Sequence, residues 1–170
     1  MACALTQDIV LDCRDSIGGI KEVYFIELGN LSTFTEASGV ITALTKAVGK
    51  RFYKYSLVKQ TSSFEDTLTG NEEMGSLFSA QKLTLELNKM QANTRNELML
   101  LGKNLLACVA VDRNGKGFAL GFTNGLTLKT AKGTTGTKMG DRNGYALDFE
   151  GAEPTLAQEV SSSVITALTT

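Results

Sequence analysis

The sequence of 170 residues contains no histidine. Histidine is the commonest general base, the usual activator of serine and cysteine nucleophiles, and a favoured ligand of transition metals. Carboxylate pairs do not replace it, because Glu65 and Asp66 are adjacent on a strand-like segment and point to opposite faces. Asp12 and Asp15 are interpreted as solvated charges. We therefore expect a protein that is not an enzyme and that has no catalytic residue, metal ligand or cofactor.

Cysteine is scarce and shows no motif. Cys3, Cys13 and Cys108 are odd in number and have no C-x-x-C spacing, which argues against a disulfide framework and against a zinc site. Cys108 lies within the apolar run LLACVAV and is expected to be a small buried residue.

Long hydrophobic runs and export signals are also missing. No stretch approaches the roughly 18 apolar residues of a membrane span, and the N-terminus lacks a basic segment followed by an apolar one. The hydrophobic fraction of 42% and the charged fraction of 21% are those of an ordinary soluble domain. We expect one domain over residues 1–170, made in the cytoplasm and without membrane contact.

The glycine-rich segment GTTGTKMGDRNG, from Gly133 to Gly144, does not match a phosphate-binding motif. The P-loop pattern is absent from the chain, and a dinucleotide fingerprint must open a helix, whereas the residues that follow Gly144 have a strand pattern. Asn-Gly pairs are typical of hairpin turns, because both residues tolerate positive φ. The segment is therefore predicted to be a structural turn.

Short strand-like segments dominate the chain. The predicted strands are residues 20–28, 51–59, 82–90, 105–112, 117–122, 125–129 and 144–150. Alternation predicts that two sets of three side chains each share one face towards a core. These sets are Phe118, Leu120 and Phe122, and Tyr145, Leu147 and Phe149.

One segment has a strong helical pattern, residues 91–101. Thr94 and Glu97 have the spacing of a capping box, and Gly102 is suited to end the helix. Residues 41–47 are apolar and ambiguous. Beyond Pro154, the only proline, the spacing of the apolar residues favours a helix, whereas the serines and threonines leave an edge strand open.

These elements predict a mainly β fold. It is a small antiparallel β-barrel or two-sheet sandwich with one flanking α-helix and a long extended hairpin. Residues 1–17 form an N-terminal arm, residues 60–81 the extended hairpin loop, and residues 153–170 a C-terminal segment.

The hairpin loop is polar and acidic. It contains no lysine or arginine between Lys59 and Lys82. Because long loops in compact domains are usually functional or disordered, we expect this arm to make contacts between copies of the chain; the alternative is a solvated, mobile hairpin.

Charge is strongly segregated along the sequence, although the net charge is only −1. Complementary patches on one molecule permit head-to-tail contacts that close into rings or propagate as filaments. One basic block comprises Lys46, Lys50, Arg51, Lys54 and Lys59, and a second comprises Arg113, Lys116, Lys129, Lys132, Lys138 and Arg142.

The segment RFYKYSLVK, residues 51–59, permits a second hypothesis. Aromatic side chains between cations can stack on bases while the cations neutralise phosphates. The sequence pI of about 5.5 opposes such a nucleic-acid-binding module, and alternating aromatic residues more often pack a sheet.

Five segments resemble small virion proteins that form the tail tube of long-tailed bacteriophages, also called major tail proteins. They are GGIKEVYFIE (18–27), SSFEDTL (62–68), NEEMGSLF (71–78), TRNELMLL (94–101) and NGYALDFEG (143–151). The similarity is one of pattern and layout over nearly the whole chain, and residues 1–17 match least well. The tube protein of contractile injection and secretion systems has the same layout.

The resemblance implies a virion structural protein of the tail, with hexameric rings stacked into a conduit for the genome and a long hairpin that bridges neighbouring rings. Implied partners are other copies of the chain, other tail proteins such as the sheath, tape measure or terminator, and DNA that passes without specific binding. A capsid decoration protein or head–tail connector is an alternative.

Candidate contact residues are assigned to the hairpin loop. Those for contacts between subunits are Phe64, Glu65, Asp66, Leu68, Glu72, Glu73, Met74 and Phe78. A lumen that does not retain DNA should be neutral or negative, because repeated cationic contacts with phosphates would hold the genome. The candidate lumen residues are therefore Glu65, Asp66, Glu72 and Glu73.

Overall fold

The computed structural model describes residues 7–11 and 13–169, so Cys3, Asp12 and the first residues of the N-terminal arm lie outside the described chain. The described part contains two β-sheets, a short 3₁₀ turn at Leu28–Asn30 and two α-helices, α1 (Ala92–Leu101) and α2 (Ser162–Ala167). The strands are β1 (Ile20–Glu27), β2 (Leu31–Ala37), β3 (Val40–Lys46), β4 (Tyr53–Ser56), β5 (Ser63–Asn71), β6 (Ser76–Asn88), β7 (Leu106–Asp112), β8 (Gly117–Leu120), β9 (Thr127–Thr134), β10 (Gly144–Glu153) and β11 (Gln158–Val160).

The seven-stranded sheet has the order β2-β3-β11-β8-β7-β1-β4. Its interior strands β1 and β7 contain the continuous apolar runs VYFI (residues 23–26) and LACVAV (residues 106–111), as expected for segments that are buried on both faces. One face packs against the four-stranded sheet around Phe25, Cys108 and Leu120. The opposite face packs against α2 and neighbouring segments around residues such as Phe52 and Val160.

The four-stranded sheet has the order β5-β6-β10-β9. Alternate residues of β6 and β10, including Leu83, Leu85, Leu147 and Phe149, are fully buried against the larger sheet. The predicted two-sheet sandwich is confirmed, but the sheets do not close into a barrel. Within the described chain, β2 and β4 are the edges of one sheet, and β5 and β9 are the edges of the other.

Helix α1 flanks the sandwich as predicted, but the capping box is wrong. The helix begins at Ala92, its N-cap is Gln91 without a side-chain hydrogen bond, and Thr94 lies inside the first turn. Leu98 and Leu101 are the buried residues of the helix. Thr94 and Glu97 therefore have the spacing of a capping box but do not form one, because the helix starts two residues before Thr94 and Thr94 is not its N-cap residue.

The C-terminal segment contains both of the alternatives left open by its sequence. Residues Gln158–Val160 form β11, parallel to β3 and antiparallel to β8, and Ser162–Ala167 form α2. Of the ambiguous residues 41–47, residues 41–46 belong to β3, which pairs with β2, a strand that the sequence did not predict. Both strands of this hairpin are largely exposed, and their alternation is weak.

Two other predictions are wrong in detail. Residues 51–59 do not flank the hairpin as its first strand: β4 pairs with β1 in the larger sheet, and the chain then changes sheets through a turn in which Gln60 has φ 65°. Phe122 does not share the face of Phe118 and Leu120. Strand β8 ends at Leu120, and Gly121, with φ 66°, redirects the chain so that Phe122 packs in the other core.

A candidate self-assembly surface on the four-stranded sheet

The β5–β6 hairpin runs in continuous register from the pair Ser63–Thr84 to the pair Asn71–Ser76. Its turn, residues 72–75, is organised by the side chain of Asn71, whose Oδ1 accepts hydrogen bonds from the backbone N–H groups of Glu73 (3.0 Å) and Met74 (3.2 Å). Gly75 supplies the positive φ of 61° that returns the chain to β6. The tip is therefore a defined turn.

Only part of the hairpin projects beyond the sandwich. Strand β10 pairs with β6 from Asn88 to Ser79, so residues 76–78 pair with β5 alone. At about 3.4 Å per strand residue, the paired extension is roughly 10 Å long, and the turn lies beyond it. The projecting part, residues 69–78, is shorter than the predicted loop of residues 60–81.

We define the acidic tip as Glu72, Glu73 and Met74. Both carboxylates are exposed, and Met74 is 81% exposed. Leu77 and Phe78 follow on β6 and are 62% and 40% exposed. Exposed apolar side chains grouped beside charges on a projecting turn are typical of a contact surface.

Glu65 and Asp66 lie on opposite faces of β5, as their adjacency requires. Glu65 is exposed opposite Lys82, on the face turned away from the core. The carboxylate of Asp66 points inward, where it accepts hydrogen bonds from the Ser79 hydroxyl and from the backbone N–H of Ala157 at 2.5 Å. Asp66 therefore connects the hairpin to the C-terminal segment, and of the two only Glu65 is available to a partner or a lumen.

Phe64 and Leu68 lie on the same side of β5 as Asp66. The ring of Phe64 is half-buried, with its centroid 5.3 Å from that of Phe118. Leu68 lies nearer the tip and remains 48% exposed. Among the candidate contact residues, Phe64 thus belongs to the sandwich, and Leu68 lies where the sandwich ends.

We call the side of the four-stranded sheet that faces away from the core the outer face. Strand register places small and polar side chains on it throughout, among them Thr67, Ala80, Thr84, Ala146 and Thr130. Part of this face is a shallow groove of about 800 Å³. Register and groove lining give its charged residues as Glu65, Glu86, Asp148, Glu150, Lys82, Lys129 and Lys132.

The two edges of this sheet carry opposite charge. Strand β5 presents Glu65, whereas β9 at the other edge presents Lys129 and Lys132. The register shift between Asp148 and Phe149 leaves Lys129 as the extra residue of a bulge on β9. Open edges retain unpaired backbone N–H and C=O groups and are templates for a strand of another chain.

The two ends of the sheet are also opposite in charge. The end remote from the acidic tip, where β6 finishes and the β9–β10 loop begins, is here called the basic end and comprises Lys89, Lys138, Met139 and Arg142. Lys89, Lys138 and Met139 are exposed, whereas Arg142 forms an ion pair with Glu86. This end thus combines two exposed lysines and an exposed methionine with one exposed acid, Asp141, so that its balance is basic, whereas the acidic tip combines anions with a methionine.

The loop at the basic end is held by Asp141. Its carboxylate accepts hydrogen bonds from the backbone N–H groups of Lys138 (2.8 Å) and Thr137 (2.9 Å), and these bonds lower the pKa of Asp141. The Gly-Thr segment therefore forms an ordered turn, in agreement with its structural interpretation. Strand β9 extends further into this segment than predicted, to Thr134.

The aromatic residues of segment 51–59 offer little surface for base stacking. Phe52 is buried, and the ring of Tyr55 packs edge-on against Phe25 at 5.2 Å. Tyr53 is half exposed, and the Arg51 guanidinium lies 5.4 Å from its centroid. The ammonium of Lys54 is 2.6 Å from the carboxylate of Glu22.

Buried polar residues that sequence reasoning missed support the fold beside the sheet. The carboxylate of Glu153 accepts hydrogen bonds from the backbone N–H groups of Thr123, Asn124 and Gly125, the shortest at 2.8 Å from Asn124. Gln81 accepts one from Gly121 at 3.0 Å. Nothing in the local sequence marks these residues, because their partners are 28 to 40 positions distant.

The described part of the chain contains neither a metal-binding cluster nor a membrane-spanning helix. No group of three or more Cys, Asp or Glu side chains there has an arrangement that could hold a metal ion. None of its helices is long and apolar enough to cross a bilayer. Comparison with protein-family models, with curated proteins and with solved structures gives no match.

Proposed function

We propose that this chain is a structural subunit that assembles into hexameric rings, and that the rings stack into the tail tube of a bacteriophage. The observation that carries the proposal is the charge of the four-stranded sheet, which is opposite at its two edges and at its two ends. A subunit with such a surface associates head to tail, and head-to-tail contacts either close into rings or continue as filaments.

Ring closure uses the two open edges. We infer that β5 of one subunit lies beside β9 of the next, so that Glu65 approaches Lys129 and Lys132. Both strands retain unpaired backbone groups for such a contact, and like charges do not meet.

Stacking uses the two ends. The acidic tip projects along the strand direction, and the basic end lies at the opposite end of the same strands. In a stack of rings with one orientation, the tip of one ring meets the basic end of the next. Met74 and Met139, both exposed, add apolar area to the contact between opposite charges.

The outer face then lines the channel. Its four acidic residues and three lysines nearly balance, with Arg142 paired to Glu86 at the margin. Such a wall offers few net cationic contacts to phosphates, so DNA passes without being held. The function is mechanical and not enzymatic; the protein is made in the host cytoplasm and resides in the virion, in contact with other tail proteins such as the sheath, tape measure or terminator.

Size-exclusion chromatography and negative-stain microscopy of the purified chain test the proposal. We expect rings or tubes with a central channel, and no DNA binding at physiological salt. Monomers, or a single ring that never stacks, would instead support a capsid decoration protein or a connector. Tight DNA binding would support the nucleic-acid-binding module.

A shortened hairpin separates stacking from folding. Residues 69–78 are replaced by Asn-Gly, which joins the paired residues Leu68 and Ser79 through a two-residue turn. We expect an unchanged circular dichroism spectrum and rings that do not stack. The matched control, Thr69→Ser at an exposed position of the same hairpin, keeps the acidic tip, Gly75 and the hairpin length; it should form tubes. Tubes from the shortened chain would refute the assigned role of the tip.

A further inference from the structure

The N-terminal segment carries large apolar residues that are mostly or almost fully exposed in the described chain. Ile9 and Leu11 are 97% and 98% exposed, and Val10 is 80% exposed. The segment joins the body at Ile17, whose backbone N–H donates to Asn114 Oδ1 and whose carbonyl accepts from Asn114 Nδ2, both at 2.9 Å. Asn114 is itself fixed by Asp112 in the β7–β8 turn. The segment is therefore held to the body at Ile17 by hydrogen bonds, and the apolar residues lie beyond this point.

The sequence of this segment suits a strand. Ile9, Val10 and Leu11 are consecutive residues with high β propensity or high apolar area. An isolated strand of this kind gains stability when it is added to the open edge of an existing sheet, where its backbone groups are paired and its side chains are covered. Residues 7–15 also contain three aspartates and one arginine, so the segment is acidic.

One open edge combines positive charge with apolar surface. Strand β4 is the edge of the seven-stranded sheet and lies beside a groove of about 690 Å³ between β4, β6 and α1. Arg51, Tyr53, Lys54 and Val58 line the groove, together with the acids Glu86 and Glu97. Glu86 is already paired with Arg142, and Lys54 is paired with Glu22, so Arg51 and Glu97 remain in the lining. Lys50 and Lys59 flank β4 in sequence and make the region basic, and no acidic residue lies in the sequence from residue 37 to residue 64.

The other open edges fit less well. Strand β5 and the adjoining tip are acidic, and β2 carries Glu36, so both repel the segment. Strand β9 (Thr127–Thr134) is basic, but none of the exposed large apolar residues of the described chain lies on it. Charge and apolar area together therefore select β4.

We propose that residues 7–11 of one copy add as a strand to the β4 edge of a second copy of this chain. Ile9 and Leu11 are then covered by the groove beside β4, and Asp8 lies near Arg51, Lys50 and Lys59 of the same region. The contact is independent of the proposed tube: it joins two copies through the seven-stranded sheet and requires neither the acidic tip nor the outer face.

Site-directed cross-linking tests the contact directly. One population carries Cys3→Ser and keeps Cys13, which is exposed; Cys108 is buried and its pKa is raised by burial, so its thiol does not react. A second population carries Cys3→Ser, Cys13→Ser and one new cysteine, Ser56→Cys on β4. Matched controls place that cysteine on the other edges, as Ser32→Cys, Ser63→Cys or Thr130→Cys.

The two populations are mixed and treated with a short bis-maleimide. We expect a covalent heterodimer with Ser56→Cys in about tenfold higher yield than with each control, because binding raises the local concentration of the two thiols. Equal yields at all four positions would overturn the proposal. So would a chain carrying both Cys13 and Ser56→Cys that cross-links only within itself.

Variants on each side of the contact provide the second measurement. Ile9→Asp with Leu11→Asp should reduce the heterodimer yield about tenfold or more, since two apolar side chains lose their burial. Arg51→Glu should reduce it as well, and Leu156→Asp, an exposed apolar position elsewhere, should leave it unchanged. An unaltered yield in the double variant, with an unchanged circular dichroism spectrum, would refute the assigned role of Ile9 and Leu11.

Discussion

The two sheets of this sandwich differ in how they are covered. The seven-stranded sheet has packed apolar residues on both faces, and its strand β7 is buried from Leu106 to Val111. The four-stranded sheet is covered on one face only, and its outer face is polar with charged edges and ends. Both faces of the seven-stranded sheet thus stabilise the fold, whereas one face of the four-stranded sheet is left available for contacts with other molecules.

Because the four-stranded sheet has one buried and one exposed face, residues that are adjacent in sequence have different roles, one in the core and the next on the outer face. Along β10, Leu147 and Phe149 are buried while Asp148 and Glu150 lie on the outer face. Along β5, Asp66 holds the C-terminal segment while Glu65 faces outward. Of two substitutions at neighbouring positions, one should therefore affect folding and the other assembly.

The largest effect on folding is expected for Phe149→Ala. The ring is fully buried, and its centroid lies 5.0 Å from that of Phe25 between the sheets. Truncation of a buried phenylalanine costs about 3 to 5 kcal/mol of the free energy of unfolding. The adjacent control, Glu150→Ala on the outer face, should change it by no more than about 0.5 kcal/mol. Urea denaturation of both variants measures the contrast, and equal costs would contradict the assignment of faces.

Helix α1 offers a second contrast. Leu101 is buried against the sandwich and Leu100 is 53% exposed. Leu101→Ala should cost about 2 to 5 kcal/mol, and Leu100→Ala should cost roughly 0.5 kcal/mol or less. If denaturant unfolding gives a silent Leu101→Ala, the helix does not pack on the sheets.

Asp66 and Glu65 on β5 offer a third contrast. The substitution at Asp66 should lower the free energy of unfolding, by less than the core substitutions do, whereas the substitution at Glu65 should weaken assembly. Asp66→Ala leaves the Ser79 hydroxyl and the Ala157 N–H without their acceptor, which costs about 1 to 3 kcal/mol. Glu65→Ala should leave the free energy of unfolding unchanged and weaken ring formation. Chemical denaturation and size-exclusion chromatography distinguish the two effects; a Glu65→Ala chain that assembles normally would remove Glu65 from the ring contact.

A smaller effect is expected at alkaline pH from Tyr55 at the edge of the larger sheet. Burial, followed by the nearby carboxylate of Glu97, raises the pKa of Tyr55 from 10.0 to about 12. Between these values the folded chain keeps a proton that the unfolded chain releases, so stability falls as the pH rises through this window. Thermal unfolding from pH 9 to 12 should show a shallower loss for Tyr55→Phe than for the parent chain. Identical slopes would contradict the raised pKa.

Periodicity was sufficient to predict the strands that build the core. Strand segments that are buried on both faces are apolar throughout, as in β1 and β7. Strands that are buried on one face alternate between apolar and polar residues, as in LTLEL and YALDF, so burial can be predicted from the sequence. Strand β2 was missed because its residues are mostly exposed and it exists through pairing with β3. The face of Phe122 was predicted wrongly for a different reason: the positive φ of Gly121 turns the backbone, so the alternation of the strand does not continue to Phe122.

Partners distant in sequence could not be predicted. Strand periodicity does not tell which strands pair, so the position of β4 beside β1 and of β10 beside β6 appears only in the structure. The hydrogen bond between Ala157 and Asp66 spans 91 residues, and no local pattern encodes it. The charge blocks were visible in sequence, but their distribution over opposite edges and ends depends on the strand order.

The central claim is that opposite charges at the two ends of the four-stranded sheet stack the subunits. The most direct measurement is a charge exchange scored by negative-stain microscopy. Glu72→Lys with Glu73→Lys reverses the acidic tip, and Lys89→Glu with Lys138→Glu reverses the basic end. Each double variant alone should abolish stacking, because like charges then meet across the contact, and the quadruple variant should restore tubes. Tubes from either double variant, or a folded quadruple variant that forms none, would contradict the account.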